Sequence, residues 1–559
     1  MTHKFVHSFT KLFLALAITV AGVSSALAAD GALDPTFGTG GKVIADLSDF
    51  DSGNDVALQT DGKLIVAGSS LNGNDIDFAL TRYNRDGSLD TTFGIGGKVT
   101  TDFGGDRFDH GYAVTIQPDG KIIMAGESNV SANISDFAVA RYNTDGSLDT
   151  TFDSDGKVIT DFSNFARGAD IVLQPDGKIV VAGASWDGNN FDFALASYNT
   201  DGSLDMTFDT DGKVTLDLGG FDQGSAVVLQ PDGKIVVAGT MQNLNFNTSD
   251  FALARFNSDG SVDNTFDSDG KVTTDFASSN DIVSDVTIQQ DGKIVIAGSS
   301  EFKFALTRYN SDGSLDTTFD TDGKVITDFG TGSAPFENDG GEAITLQPDG
   351  KIVAAGSSNA AGSSNADFAL ARYNMDGSLD MSFDTDGKVT TDFGGLDIGY
   401  AVAIQTDGKI VMAGSSSTGI HPDIALARYD VGTSSNEVTI DVKPGRFPNR
   451  IEIEKNLCKD DDNLYVAILT TPDFDALTVD TSTLSLGDPN LNGIVNPVRN
   501  RARDVDLDGD MDLALAFSLC ELVTHEALNT NSTELDLIGM TLNGVSITGR
   551  DSVKVVRDD

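Results

Sequence analysis

The stretch DVDLDGDMD is the part of this 559-residue chain whose residue types and spacing best suit chemistry. Asp504, Asp506 and Asp508 alternate, Gly509 permits a sharp turn, and Asp510 and Asp512 follow. This is the oxygen-rich spacing of a calcium loop at positions one, three, five, seven and nine, with position seven giving its backbone carbonyl. Left empty, the loop would crowd its carboxylates together, so the expected occupant is a structural Ca²⁺. Position twelve is Leu515 and not the bidentate Glu of an EF-hand, and the run LALAF that follows reads as a strand.

A second group of residues suits ligand contact. Trp186 is the only tryptophan of the chain and stands in ASWDGNN. With Phe108, Asp109, His110 and Phe246 it forms the candidate binding set, because an exposed aromatic beside carboxylates or amides suits a sugar or a peptide. The plainer alternative is a loop side chain folded back over the scaffold. Catalysis finds little footing. Beyond the N-terminal leader only His110, His421 and His525 remain, and no GxSxG, HExxH or phosphate-binding glycine loop occurs. No catalytic residue is assigned. Cys458 and Cys520 are the only cysteines and form a candidate disulfide in an oxidising compartment. Closing that loop stabilises by about 4 kcal/mol on the chain-entropy argument.

The elements that must position these residues are repeats. A phrase related to DGSLDTTFG places its Phe at 37, 93, 152, 208, 266, 319 and 383, at spacings of 53 to 64 residues. DGK-[IL]-x-x-AG starts at Asp61 and recurs to Asp407, and F/I-A-L/V-A/T-R-Y/F starts at Phe78 and recurs to Ile424, seven times each, with Ser197 replacing the Arg in the third unit. Such a period means a stacked or circular array of units that cannot bury their own apolar faces alone.

In the second unit YAVTIQ reads as a strand, PDG as a hairpin turn and KIIMAG as its partner, with DFAVARYN and KVITDF as third and fourth strands. The sheet is apolar on both faces and must be covered on both. Phe137 and Val139 on one side, with Ala138 and Ala140 on the other, suit sheets that interlock. Four-stranded sheets stacked around an axis make a β-propeller, so the expected class is all-β: a seven-bladed propeller followed by a β-sandwich. The array enters on a lone fourth strand, KVIADL, and leaves near Asp430 after three strands, so the N-terminal strand is expected to close the ring.

These phrases resemble the delta-60 repeat, a bacterial family with units carrying DFALARYN, DGSLD-x-x-FG, GKV-x-TDFGG and QPDGKIVVAG. The resemblance covers Leu33 to Asp430 and implies a secreted or surface β-propeller without an assigned enzymatic activity. The turns QPDGK and DGSLD-x-x-F are nearly constant, whereas inter-blade loops and those between second and third strands vary, so one face of the disc is expected to carry recognition. The arginines Arg82, Arg141, Arg255, Arg308, Arg372 and Arg428, with Ser197 in the third unit, read as structural, each tied to an Asp or a turn carbonyl.

Domain boundaries follow: residues 1–28 a signal peptide, 29–431 the propeller, 432–437 a linker, and 438–559 the β-sandwich. The leader has Lys4 and Lys11, an apolar run from Leu12 to Val23, and a small-residue cleavage site ending at Ala28. Export as a secreted or cell-surface monomer is expected. A net charge of −48 argues against nucleic acid, and no stretch is apolar enough to span a membrane. In the C-terminal segment, VTIDV, NLYVAILT, ALTVDTSTLSL, DLALAF, LDLIG and DSVKVV read as strands. The series TIDVKPG, VAILTT, DFDA, DVDLDGDMD and DSVKVV resembles a module at the C-termini of many secreted bacterial proteins. Its acidic loop resembles the calcium loops of β-propeller and integrin-like repeats.

The expected role is a secreted, non-catalytic scaffold that recognises an extracellular glycan or protein on the variable face. The alternatives are a glycan-active hydrolase or lyase with carboxylates near the propeller axis, and a purely structural spacer of the envelope or matrix. Calcium titrated calorimetrically into calcium-free protein should bind with one equivalent fewer in Asp506→Ala; an unchanged stoichiometry removes the calcium loop.

Overall fold

The structure, a computed structural model, describes residues 30–557 apart from segments 48–49, 74, 105–107, 132–133, 244–247, 277–279, 331–338, 360–364, 418, 420, 432–435, 445–448, 454–462, 472–473, 490, 492, 507–510, 526 and 542–545. The leader, Phe246, Cys458, Asp508, Gly509 and Asp510 therefore lie outside the described residues.

The turn Q-x-DGK, with Pro at its second position in four blades, sets the geometry of every blade. In blade three Pro175 presets φ, Gly177 takes a φ of +86°, and Asp176 Oδ1 accepts from Lys178 N at 3.1 Å. The hairpin joins Ala166–Leu173 to Ile179–Trp186, and Phe191–Tyr198 and Lys213–Leu216 complete an antiparallel sheet in sequence order. Between Gly168 and Asp170 the first ladder slips by one residue. Opposite this bulge a Cβ on Gly183 would lie 1.9 Å from Arg167 O, which is why the second strand carries glycine there.

Six blades are built this way from consecutive strands. The seventh sheet takes Asp397–Ile404, Ile410–Ser416 and Asp423–Tyr429, and its outer strand is Lys42–Ala45 from the start of the described chain. Lys42 pairs with Ala427 and Ala45 with Ile424 in an antiparallel ladder. The first strands of neighbouring blades touch in a complete ring, that of blade seven against that of blade one.

Packing between blades follows the alternation in the third strand. Phe193 and Leu195 of blade three share a buried cluster with Ala252 and Ala254 of blade four. Each fully buried Phe or Leu stabilises by about 2 kcal/mol, and the small Ala face lets the backbones approach. In every blade but the third, the repeated arginine then ties the blade to its neighbour. Arg255 Nε donates to Asp263 Oδ2 at 2.7 Å, its guanidinium lies 4.6 Å from the Phe266 ring centroid, and Nη1 donates to Ser311 O of blade five. Lys234 Nζ joins the same carboxylate at 2.9 Å. Blade three, with Ser197 in place of Arg, keeps only the lysine, Lys178 Nζ to Asp205 Oδ2 at 2.8 Å.

At the seam the carboxylate comes from the opposite end of the propeller segment. Asp34 Oδ2 lies 2.6 Å from Arg428 Nη2 and 2.7 Å from Lys409 Nζ, and the Arg428 guanidinium covers Phe37 at 4.6 Å. Burial pushes the Asp34 carboxyl up, but Lys409, Thr36 and Arg428 outweigh it and hold it well below the usual carboxylate range.

The C-terminal segment forms two four-stranded sheets and a parallel pair, Arg450–Ile453 with Lys554–Arg557, around one buried cluster. Two details differ from the sequence reading. DSVKVV does not make one strand: Ser546–Ser552 ends before buried Val553, and Lys554–Arg557 joins the parallel pair. A short helix, Leu519–Thr524, follows DLALAF where Ser518 Oγ accepts from Glu521 N at 3.3 Å, a local cap that strand periodicity does not register. Among the described residues no helix is long and apolar enough to cross a membrane.

Removing one partner from a buried charge group leaves the others uncompensated, at about 3–5 kcal/mol. Asp34→Ala should therefore lower the thermal midpoint of the propeller clearly, and a chain lacking residues 29–49 should aggregate through the exposed edge of the Asp423–Tyr429 strand. A monomeric truncation with an unchanged melt would contradict the seam.

Candidate functional site

Each inner strand starts on the face where blade-to-blade connections and second-to-third hairpins meet. The constant phrases end there, and the side chains at the mouth differ between blades. Ser52, His110, Arg167 and Gln223 occupy one equivalent position in blades one to four.

A cleft of about 220 Å³ opens on this face across blades two, three and four, lined by Glu127, Phe165, Arg167, Ala184, Phe191 and Gln223. Its aromatic wall is centred on Phe191, which meets Phe165 at 5.5 Å, Trp186 at 5.2 Å and Phe221 at 4.9 Å between ring centroids, all edge-on. The facing side is polar. The Arg167 guanidinium stands 5.2 Å from the Tyr112 ring centroid, and no carboxylate pairs with it among the described residues. Glu127 is occupied, accepting from Tyr112 Oη at 2.8 Å and Ser135 Oγ at 2.7 Å. Burial and then the Glu127 charge push the Tyr112 phenol up. Burial outweighs the pull of Glu127 and Asp109 and moves His110 down, so its imidazole is neutral at pH 7. An aromatic wall facing an unneutralised guanidinium and an amide can hold a flat polar ligand by stacking and hydrogen bonds.

Two of the sequence candidates stand next to this cleft without lining it, Trp186 against Phe191 and His110 opposite Glu127. Trp186 is not a loop residue: it ends a strand, pairs with Phe191 and is half-buried behind the wall, because the cross-strand aromatic pair extends the hairpin. His110 stacks on Tyr112 at 6.1 Å. Phe108 lies 46% exposed on the rim, and Asp109 is fully buried, its Oδ2 accepting from Phe103 N at 2.7 Å, so it offers no free surface. Arg167, Glu127, Tyr112 and Gln223 were missed. A signal was available for three of them, since Arg167, Glu127 and Gln223 each occupy their strand position in one blade alone, whereas the Tyr112 position is Tyr400 in blade seven.

In the acidic loop, Asp504 and Asp506 lie beside the start of a strand that opens on Asp512. Asp512 is fully buried and accepts from Thr470 N at 2.9 Å and Val505 N at 2.7 Å, which folds the loop back on its own strand. Cys520 is disulfide-bonded, and Cys458 is the other cysteine of the chain.

Near the axis lie three carboxylates, Asp55, Asp170 and Asp285, at the bulges of blades one, three and five. Each accepts from the next residue in its own strand and from the neighbouring blade: Val114 N, Val227 N and Ile344 N, at 2.7 to 2.8 Å. The equivalent residue is Ala in blades two, four, six and seven, so the carboxylates staple the blades in pairs. Burial pushes them up, to about 6 for Asp55, about 8 for Asp170, where Asp285 and Asp55 add repulsion, and about 7 for Asp285.

Seven segments, residues 59–93, 117–152, 174–208, 230–266, 289–319, 347–383 and 405–431, match the DUF5122 family, described as a β-propeller domain of unknown function. No curated protein matches the sequence. Among solved structures, a catalytically inactive virginiamycin B lyase from Staphylococcus aureus with quinupristin is 13% identical, covering 69% of this chain and 98% of its own at a TM-score of 0.41. A streptogramin B lyase is 12% identical, covering 70% and 97% at 0.41, and an ulvan lyase is 12% identical, covering 70% and 96% at 0.39.

The axis carboxylates make a pH prediction. Between their ordinary value and about 8 the folded chain holds protons that the unfolded chain has released, so stability falls as pH rises through that window. The carboxylates held low, such as Asp34, lose their contribution only under stronger acid. The melting midpoint should drop from pH 5 to 8.5, and Asp170→Asn should flatten that slope; equal slopes would remove the axis staple as its cause.

Proposed function

We propose, for a chain that carries seven DUF5122 β-propeller repeats, that it is a secreted, non-catalytic recognition protein whose cleft across blades two to four binds an extracellular glycan. The observation that carries this reading is the pairing of the Phe165–Phe191 wall with Arg167. The third-strand arginines of the propeller, such as Arg255 and Arg308, are tied to aspartates, whereas the guanidinium of Arg167, on an inner strand, faces the cleft over Tyr112. A sugar ring can stack its apolar face on the wall while a carboxylate or sulfate reaches Arg167 and hydroxyls reach Gln223. The enzyme alternative placed its carboxylates near the axis. Asp55, Asp170 and Asp285 each hold two backbone N–H groups, which favours a stapling role over proton transfer.

The test is a glycan array probed with wild type, Trp186→Ala and Arg167→Gln. Binding should weaken roughly tenfold in each variant, about 1–2 kcal/mol, with Arg167→Gln discriminating selectively against acidic glycans. No glycan bound by the wild type sinks this reading. Cleavage of a bound glycan replaces it with the enzyme.

A further inference from the structure

Three positions recur at the blade junctions on the same face. One is the Asp that opens the third strand, one the Asp that follows the outer strand in TDF, and one the Asp that opens the next inner strand. At the junction of blades three and four these are Asp192, Asp217 and Asp222; at that of blades six and seven they are Asp367, Asp392 and Asp397. In each triad one carboxylate oxygen per residue lies within 4.8 Å of the other two. Oxygens on opposite sides of a calcium ion, each about 2.4 Å from it, are separated by about that distance.

The third position supplies an independent observation. Asp222 and Asp397 are fully buried. One oxygen of each is held by a loop amide, Leu218 N or Phe393 N, at 2.6 Å. The other, Oδ1, is buried with no hydrogen-bond partner and belongs to a carboxylate inside the triad. A buried anionic oxygen without a partner is costly unless something positive meets it. At the first junction Lys271 donates to the backbone carbonyl of Asp217, so one ammonium stands near three carboxylates.

The chain also shows what such a junction accepts. Between blades five and six the first position is Lys303, and its Nζ lies 2.7 Å from Asp328 Oδ2. Where one carboxylate is lost, an ammonium takes its place. From this geometry we infer that the propeller binds divalent cations of the calcium class at its blade junctions, one per intact aspartate triad, with Asp192, Asp217 and Asp222 ligating one and Asp367, Asp392 and Asp397 another. These sites are separate from the acidic loop at Asp504–Asp512 and from the glycan cleft. A cation there ties three strands of two blades together at the recognition face.

Trp186 makes the first triad addressable. Its ring lies 5.2 Å from Phe191 and 6.0 Å from Phe221, the sequence neighbours of Asp192 and Asp222, so it can sensitise terbium bound between those aspartates. Terbium added to calcium-free full-length protein should emit on tryptophan excitation and be displaced by calcium. The emission should be lost in Asp222→Asn and kept in Asp397→Asn and Asp506→Ala. No sensitised emission from the wild type, or undiminished emission from Asp222→Asn, overturns the inference. Should Asp222→Asn fail to fold, Lys303→Asp decides: by equilibrium dialysis it should bind one calcium more than wild type, and an unchanged calcium content overturns the proposal.

Discussion

A buried guanidinium that must find a carboxylate is the constraint on which the ring depends. Each third-strand arginine, Arg255 for example, is taken out of water, laid on the phenylalanine of the following turn and paired with the aspartate of that turn. Its second nitrogen reaches a carbonyl of the next blade, so a local ion pair becomes a joint between units. A charge so placed cannot be left alone without a penalty of several kcal/mol. For Arg428 the following turn does not exist in sequence order, and Asp34 from the other end of the propeller segment supplies it. The same step that neutralises Arg428 pairs Lys42–Ala45 with Asp423–Tyr429, so electrostatics and strand pairing close the seam together.

Repetition and departure divide the labour in this molecule. Positions that repeat hold the disc: the Q-x-DGK hairpins, the Phe and Leu face packed on Ala and Ala, and the Arg–Asp–Phe joints. The Asp/Ala alternation at the axis bulges adds a second tier by stapling blades in pairs. Seven being odd, one blade stands outside that pairing, and it is the blade completed by the N-terminal strand. Departures gather at the mouth. His110, Arg167 and Gln223 share one structural position, and Glu127 sits opposite the first of them. A rigid ring lets such positions change without cost to the core, because their side chains point away from the inter-blade clusters.

Much of the architecture was legible because it is written seven times. The strand order, the hairpin turns and the interlocking third strand could be read from alternation and from Pro-Asp-Gly chemistry alone. The structural role of the arginines was legible as well, since a residue recurring in six blades is tied to the scaffold. The site was read only partly. Trp186 stood out by being unique, but its place behind Phe191 depends on a cross-strand pair that loop composition did not signal. Arg167 and Glu127 were passed over because one residue of each type inside a strand looks like ordinary variation until the strands are superposed. The C-terminal strands were recognised by alternation, whereas the break at Val553 and the helix at Leu519–Thr524 arise from packing and capping that alternation does not encode.

What the sequence alone determined is therefore the periodic part: a chain of four-stranded units, apolar on both faces, that must stack to be covered. That follows from local chemistry, since turn residues and side-chain alternation act over a few positions. Which carboxylates meet was decided only by the tertiary structure. Asp192, Asp217 and Asp222 come from two blades and converge at one junction, as Glu127, Arg167 and Gln223 from three blades do in the cleft. The physical reason is that burial and mutual repulsion act through space, on neighbours that the curvature of the ring selects.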